Sequence, residues 1–283
     1  QKSIPIPKKF VILVVDKILK YKHTMIYHKP VTFYTPEGIL QVTHLGHGSV
    51  HLNWEGMHIY LDPYTPTANY SQLRKADMIL LTHAHTDHYD CDAIRAIATP
   101  NTKFVVSHAV RTCIENELTS LKLNRDSNSL NVDESTNLEN MKKTISCIKH
   151  CSIEVLENGQ SISCGTLNIT ATPAYNINRK RSNGQPFHIK GEGNGYILSI
   201  GSFKLFFAGD TEFIPELSIA KGADIAFLPK NLPYTMSDEE FIEAANFIKP
   251  KNLFPIHYFE IDPAAIRKSL QPGISLYVEG MQV

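Results

Sequence analysis

Met78-Ile79-Leu80-Leu81-Thr82-His83-Ala84-His85-Thr86-Asp87-His88 places three histidines and an aspartate directly behind a short apolar run. Four consecutive large apolar residues suit a central strand buried on both faces. Side chains alternate along a strand, so His83 and His85 project the same way and can converge on one ion. Asp87 and His88 follow where the chain must turn, within reach of a neighbouring ion. Imidazole nitrogens mixed with a carboxylate are the donors that borderline metals prefer. With 13 histidines in 283 residues a chance pair is ordinary. H-x-H-x-D-H at the end of an apolar strand is not. The segment is read as a site for one or two transition-metal ions, Zn²⁺ first and Mn²⁺ or Fe²⁺ as alternatives.

Working outward, two later segments repeat the pattern of a ligand behind an apolar strand. Phe206-Phe207-Ala208-Gly209-Asp210-Thr211 ends on an aspartate whose two oxygens can bridge two ions. Leu253-Phe254-Pro255-Ile256-His257 ends on a histidine. His47 lies in the glycine-flanked turn Gly46-His47-Gly48 and is a candidate proton donor. His44, His51 and His58 fall on strands and are read as structural or exposed. Asp62, before Pro63, is placed to accept the second N–H of a ligand histidine.

The flanking sequence indicates the fold class. Val50, Leu52 and Trp54 alternate with His51 and Asn53, the period of a half-buried strand, and Met57 to Leu61 returns from the Glu55-Gly56 turn. Helices are expected over 91–98 and 109–121, with a strand at 103–106 between them. Further strands are expected at 161–164, 167–172, 195–200, 204–208 and 253–256. Ser237-Asp238-Glu239-Glu240 is a capping box opening a helix that runs to Ile248 before Pro250. Residues 124–139, rich in Asn, Asp and Ser, read as an exposed loop. The pattern predicts a layered α/β (α+β) sandwich. Residues 1–40 are expected to form an N-terminal extension packed on the core, and 41–283 a single domain.

Lysine plus arginine equals aspartate plus glutamate at 28 each, which disfavours a nucleic-acid partner and points to a small-molecule substrate. No apolar run approaches the ~20 residues needed to cross a bilayer. Gln1 fits either a removed leader or a shortened start, and a soluble cytoplasmic or periplasmic protein is expected. The five cysteines show no C-x-x-C spacing. They are read as reduced and mostly buried, and Cys147, His150 and Cys151 carry only a weak metal signal.

THAHTDH, FAGDT and PIHY, preceded by LGHGSVHLNWEGMHIYLDPY, resemble the signature segments of the metallo-β-lactamase fold superfamily, in that superfamily's order over about residues 41–258. The opening segment is more similar to the branch holding ascorbate-phosphate lactonases and N-acyl-phosphatidylethanolamine phospholipase D than to true β-lactamases. The resemblance implies a four-layer αββα sandwich with its site at the sheet edges. It implies His83 and His85 in a first metal site, Asp87, His88 and His257 in a second, and Asp210 bridging. The activity it implies is hydrolysis by metal-activated water of an ester, lactone, amide or phosphodiester. Flavin-linked di-iron reduction, a rival within the fold, would want a glutamate where His85 stands.

The chain departs from that pattern at one point. The superfamily usually supplies another histidine between Asp87 and Asp210, whereas here the segment reads Thr172-Pro173-Ala174-Tyr175-Asn176. Tyr175 or Asn176 fills the slot, or His188 arrives from Phe187-His188-Ile189-Lys190-Gly191, although a substrate-contacting or structural role is favoured for it. Asp87, His47, His188 and Tyr175 are the candidates for proton transfer and oxyanion support. The alternative is a non-catalytic metal-binding sensor or scaffold with a degenerate first site.

Overall fold

The computed structural model describes residues 29–123, 148–278 and 281–282. Its first sheet lays seven strands side by side in chain order: β1 (Val31–Thr35), β2 (Gly38–Gly46), β3 (Ser49–Trp54), β4 (Met57–Leu61), β5 (Met78–Leu81), β6 (Lys103–Val106) and β7 (Ser152–Val155). The pairs from β1 to β4 are antiparallel and those from β4 to β7 parallel. The second sheet repeats that plan with β8 (Ser161–Cys164), β9 (Leu167–Ala174), β10 (Gly193–Ile200), β11 (Phe203–Phe207), β12 (Ile225–Pro229), β13 (Asn252–Ile256), β14 (Ser275–Val278) and β15 (Met281–Gln282). It is antiparallel as far as β11, parallel from β11 to β14, and closed by an antiparallel β15.

Strand β5 shows how the layers form. Met78 and Leu80 join Val50, Leu52, Trp54, Tyr196 and Phe227 in the core between the sheets. Ile79 and Leu81 face the other way and pack with Ile94 and Ile97 of α1 (Cys91–Ile97) and Val110 and Ile114 of α2 (His108–Leu123). A strand buried on both faces has no polar side to alternate with, hence its unbroken apolar run. On the outer face of the second sheet, Phe206, Ala226, Leu228 and Leu253 meet Phe241, Ala245 and Ile248 of α3 (Asp238–Ile248) and Ile266 of α4 (Pro263–Ser269). Helix α3 begins with the expected capping box, Ser237 and Glu240 each satisfying the other's backbone N–H. The architecture is the four-layer αββα sandwich.

Residues 31–40 form β1 and the first part of β2, so the first sheet begins ahead of the boundary placed at residue 41. The rest of the anticipated extension, residues 1–28, lies outside the described residues, as do the loop expected at 124–139 and Cys147. The four described cysteines, Cys91, Cys113, Cys151 and Cys164, are half-buried rather than buried.

The parallel strands fix the position of the site, because their carboxyl ends gather at one edge of the sandwich. β5 runs out towards His83, β11 towards Asp210 and β13 towards His257. Two cross-sheet hydrogen bonds hold this edge closed: Tyr196 Oη donates to Leu81 O (2.8 Å), and Asn194 N donates to Thr82 O (2.9 Å). Gly209 sits at φ +64°, and a Cβ there would lie 2.7 Å from Asn194 O, so the close approach of β11 to this seam requires glycine.

Away from that edge, His51 stacks on Tyr60 (centroids 4.4 Å apart) and its Nε2 lies 3.0 Å from His58 Nδ1. Burial, with His58 adding to it, lowers the His51 pKa from the ordinary 6.5 to about 4. A histidine depressed in the folded state contributes stability above its unfolded pKa, and that contribution is lost as pH falls from 6.5 towards 4. His51→Gln should flatten the fall of Tm over that interval, measured by thermal denaturation in a pH series. An unchanged slope would remove His51 as the source.

Candidate metal centre

The edge where the strands end collects seven histidine and aspartate side chains predicted from sequence, together with His188. Asp210, only 3 % exposed, sits at their middle. Its Oδ2 lies 3.1 Å from His257 Nε2, 3.2 Å from His188 Nε2, 3.4 Å from His88 Nε2 and 3.9 Å from His83 Nε2. On one side, His83, His85 and His188 bring their ring nitrogens within 4.8 Å of one another, with His83 Nε2 2.9 Å from His85 Nδ1. On the other, His47, Asp87, His88 and His257 do the same around Asp87 Oδ2, which lies 3.0 Å from His47 Nε2 and 3.4 Å from His257 Nε2. His83, His88 and Asp210 form a third such group that joins the halves.

The hydrogen bonds behind these rings decide which nitrogen points inward. Asp62 Oδ2 accepts from His88 Nδ1 (2.7 Å) and from the Thr82 hydroxyl (2.6 Å), while its Oδ1 accepts from Thr82 N (2.8 Å). Thr82 Oγ1, having donated to Asp62, can accept from His83 Nδ1 at 3.0 Å. His188 Nδ1 donates to Asn176 Oδ1 (2.8 Å). In all three cases the outer nitrogen carries a proton into that bond, which leaves Nε2 turned to the cluster. His257 Nδ1 faces the Asn231 amide at 3.3 Å. The histidine contact expected of Asp62 is present, made with His88.

These residues fit a metal. His88 Nε2, His257 Nε2 and Asp210 Oδ1 are buried without a hydrogen-bond partner, a costly arrangement unless a cation is what they face. Nitrogen and carboxylate oxygen in two adjoining groups match the preferences of Zn²⁺, Mn²⁺ and Fe²⁺. The polypeptide's own charges point the same way. Burial alone would raise the Asp210 pKa, but His257 and His88 outweigh it and hold the carboxyl well below its usual range. Burial lowers His83 well below the ordinary value and brings His85 to about 4, which keeps both rings neutral and able to ligate.

Three placements differ from what the sequence suggested. His188 joins the first group, so a third histidine does reach that site, brought by the loop rather than by a strand end. Asn176 occupies the slot where a histidine was missing and holds His188 by two bonds, accepting from its backbone N (2.7 Å) and from Nδ1. Tyr175 points away from the cluster: its hydroxyl donates to Glu216 (3.0 Å) and accepts from Lys190 Nζ (3.2 Å), and its ring packs in the outer core of the second sheet.

Glu212, two residues past Asp210, was not singled out from the sequence. It receives the backbone N–H groups of Ile177 (3.1 Å), Asn178 (2.9 Å) and Arg179 (2.7 Å) as well as Asn176 Nδ2 (3.1 Å), fixing the start of the loop that carries His188. Its only advance signal was its place directly after Gly-Asp-Thr.

The sequence profile of the β-lactamase superfamily domain matches residues 41–257. A metal-dependent hydrolase of the UPF0173 group from Desulforamulus reducens is 24 % identical over 254 residues, covering 86 % of this chain and 97 % of that one. YtkL of Bacillus subtilis, named a metal-dependent hydrolase of the same group, is 26 % identical over 249 residues, covering 83 % and 95 %. The crystal structure of a protein from Parabacteroides distasonis, proposed there to be a metal-dependent hydrolase, superposes with a TM-score of 0.69 at 32 % identity, covering 90 % of this chain and all of the other.

Asp62→Asn keeps the shape behind His88 while replacing the carboxylate that fixes its tautomer. Metal affinity should fall by roughly 10- to 100-fold, the usual cost of losing such a partner, in a chelator competition assay. Wild-type affinity in the variant would leave Asp62 with a folding role only.

Proposed function

This chain belongs to the β-lactamase superfamily, and we propose that it is a metal-dependent hydrolase acting on an ester, lactone, amide or phosphodiester bond of a small molecule. The observation that carries the reading is the position of Asp210 Oδ2, 3.1 to 3.9 Å from histidine nitrogens contributed by both halves of the cluster. His83, His85 and His188 would hold one ion, Asp87, His88 and His257 a second, and Asp210 would serve both. Zn²⁺ is the first candidate, with Mn²⁺ and Fe²⁺ next. Such ions supply Lewis acidity, so that water deprotonates near neutral pH and the electrophilic centre of the substrate is polarised.

The remaining work falls to the polypeptide. Asp87 is 31 % exposed at its side chain, against 3 % for Asp210, so it is the carboxylate that solvent reaches. Its Oδ2 is placed to accept a proton from the attacking water and to return it to the leaving group. His47 Nε2, 3.0 Å away, donates to that oxygen and holds the carboxylate in position. Tyr175 has no part in this scheme, because its hydroxyl is committed to Glu216 and Lys190. A cleft opens over His83, His85, His188 and Asp210, with Phe187 and Ile189 as an apolar wall.

The rival reading, a sensor with a degenerate first site, drew on the missing middle histidine. His188 supports the enzyme instead. Metal counting on reconstituted protein, paired with turnover on lactone, ester, amide and phosphodiester panels, tests the choice. His188→Ala should lose one ion of two and at least ~100-fold in kcat/KM, and His83→Ala and Asp210→Ala should abolish turnover. Tight metal binding with no turnover on any panel would return the protein to the sensor reading.

A further inference from the structure

Among the basic side chains on the loop that carries His188, Arg181 is the one set against a histidine of the cluster. Arg179 is paired with Glu240 and Glu212, and Lys190 with Glu216. Arg181 has no carboxylate partner among the described residues. Its Nη2 lies 3.2 Å from His85 Nε2 and 3.3 Å from Phe187 O, and its Cζ stands 5.2 Å from the centre of the Phe187 ring. Three contacts thus hold an unneutralised guanidinium at the lip of the metal cleft.

The contact with His85 is the informative one. His83, His88 and His188 each give their outer nitrogen to an oxygen acceptor, namely Thr82, Asp62 and Asn176. His85 has its Nδ1 turned to the cluster and, among the described residues, Arg181 behind its Nε2. A neutral imidazole that gives one nitrogen's lone pair to a metal carries its proton on the other. With His85 ligating through Nδ1, Nε2–H and the Arg181 N–H groups become donors facing each other across 3.2 Å, with no acceptor between them. An oxygen anion accepting from both resolves that conflict, as the carboxylate or carbonyl behind a ligand histidine ordinarily does. A guanidinium is also the side chain best shaped to take a carboxylate or phosphoryl group in bidentate fashion.

We propose that Arg181 and the outer nitrogen of His85 form a docking point for an anionic oxygen group of the substrate, a carboxylate or a phosphoryl. The group binds one imidazole ring away from the metal centre and so recognises a part of the molecule other than the bond that is cut. The neighbouring Phe187 and Ile189 face the uncharged remainder. Glu192 also lines the cleft. This substrate class, an anionic small molecule with an apolar portion, rests on the metal-hydrolase reading above.

The test is binding, not turnover alone. Inorganic phosphate and acetate are titrated calorimetrically into zinc-loaded and metal-free wild type, Arg181→Ala and Arg181→Lys. In the zinc-loaded protein Arg181→Ala should weaken one or both anions by ~10-fold, and Arg181→Lys by less. A response confined to phosphate assigns a phosphoryl group, and one confined to acetate a carboxylate. Where turnover is found, Arg181→Ala should raise KM for anionic substrates over neutral ones with kcat little changed. Equal affinity of wild type and Arg181→Ala for both anions, in both metal states, overturns the docking point. Failure to take up zinc would overturn the metal reading, and the metal-free titrations would then decide the anion site by themselves.

Discussion

A carboxylate buried to 3 % exposure has to be answered by positive charge, and the arrangement of this edge of the sandwich follows from how Asp210 is answered. Water would solvate the charge, but the converging strand ends leave the carboxylate almost no contact with it. What surrounds Asp210 instead is four imidazoles from three separate segments, at 83 and 88, at 188 and at 257. In the polypeptide alone, burial pulls the His88 and His257 rings towards neutrality. The Asp210 carboxylate outweighs burial at both, raising His88 well above its ordinary value and His257 to about 9. The protons on those rings do electrostatically what a divalent ion does better, because an ion can also accept the inward lone pairs. A substitution that removed Asp210 alone would leave the histidines mutually repulsive, so the site and its buried charge stand or fall together.

That constraint explains why the histidines need backing. A ring surrounded by other rings has no local preference for one tautomer, and the choice is imposed from behind. Asp62 is the most economical device: one buried carboxylate fixes His88 directly, and fixes His83 through the Thr82 hydroxyl that it orients. Its own backbone, at φ 44°, is in the left-handed region, as are His47 (49°) and His257 (61°). Non-glycine residues adopt that conformation at a cost in strain. Three of them at one edge indicate that the chain there is shaped by the site rather than by local preference.

How much of this was legible depended on sequence distance. His83 to His88 announced itself because the strand that aims it is the preceding four residues, and Asp210 and His257 because each ends an apolar run of its own. The sandwich followed from the same runs. β12 was not separated out, since a short parallel strand such as Ile225–Pro229 is buried throughout and has no alternation to display. His188 was undervalued for a different reason. Nothing within its own neighbourhood aims it, and its direction comes from Asn176, twelve positions earlier, held in turn by Glu212. Tyr175 was overvalued because occupying a familiar slot in sequence says nothing about which face of β9's end a side chain leaves from. It leaves from the face packed on the second sheet's outer core.

The transfer of the third histidine from a strand end to the loop changes what the loop is. From Ile177 to Gly191 one segment now supplies a ligand candidate in His188, the apolar wall in Phe187 and Ile189, and the unpaired guanidinium of Arg181. A histidine on a strand end would leave such a loop free to vary with the substrate while the metal site stayed fixed. Here the two are tied, and Glu212 is the tie, because the carboxylate that receives three of the loop's backbone N–H groups follows Asp210 by two residues. The second half of the cluster is built otherwise, from His47, Asp87, His88 and His257, with no residue of this loop. The loop therefore joins the first half alone, while the second half is assembled without it.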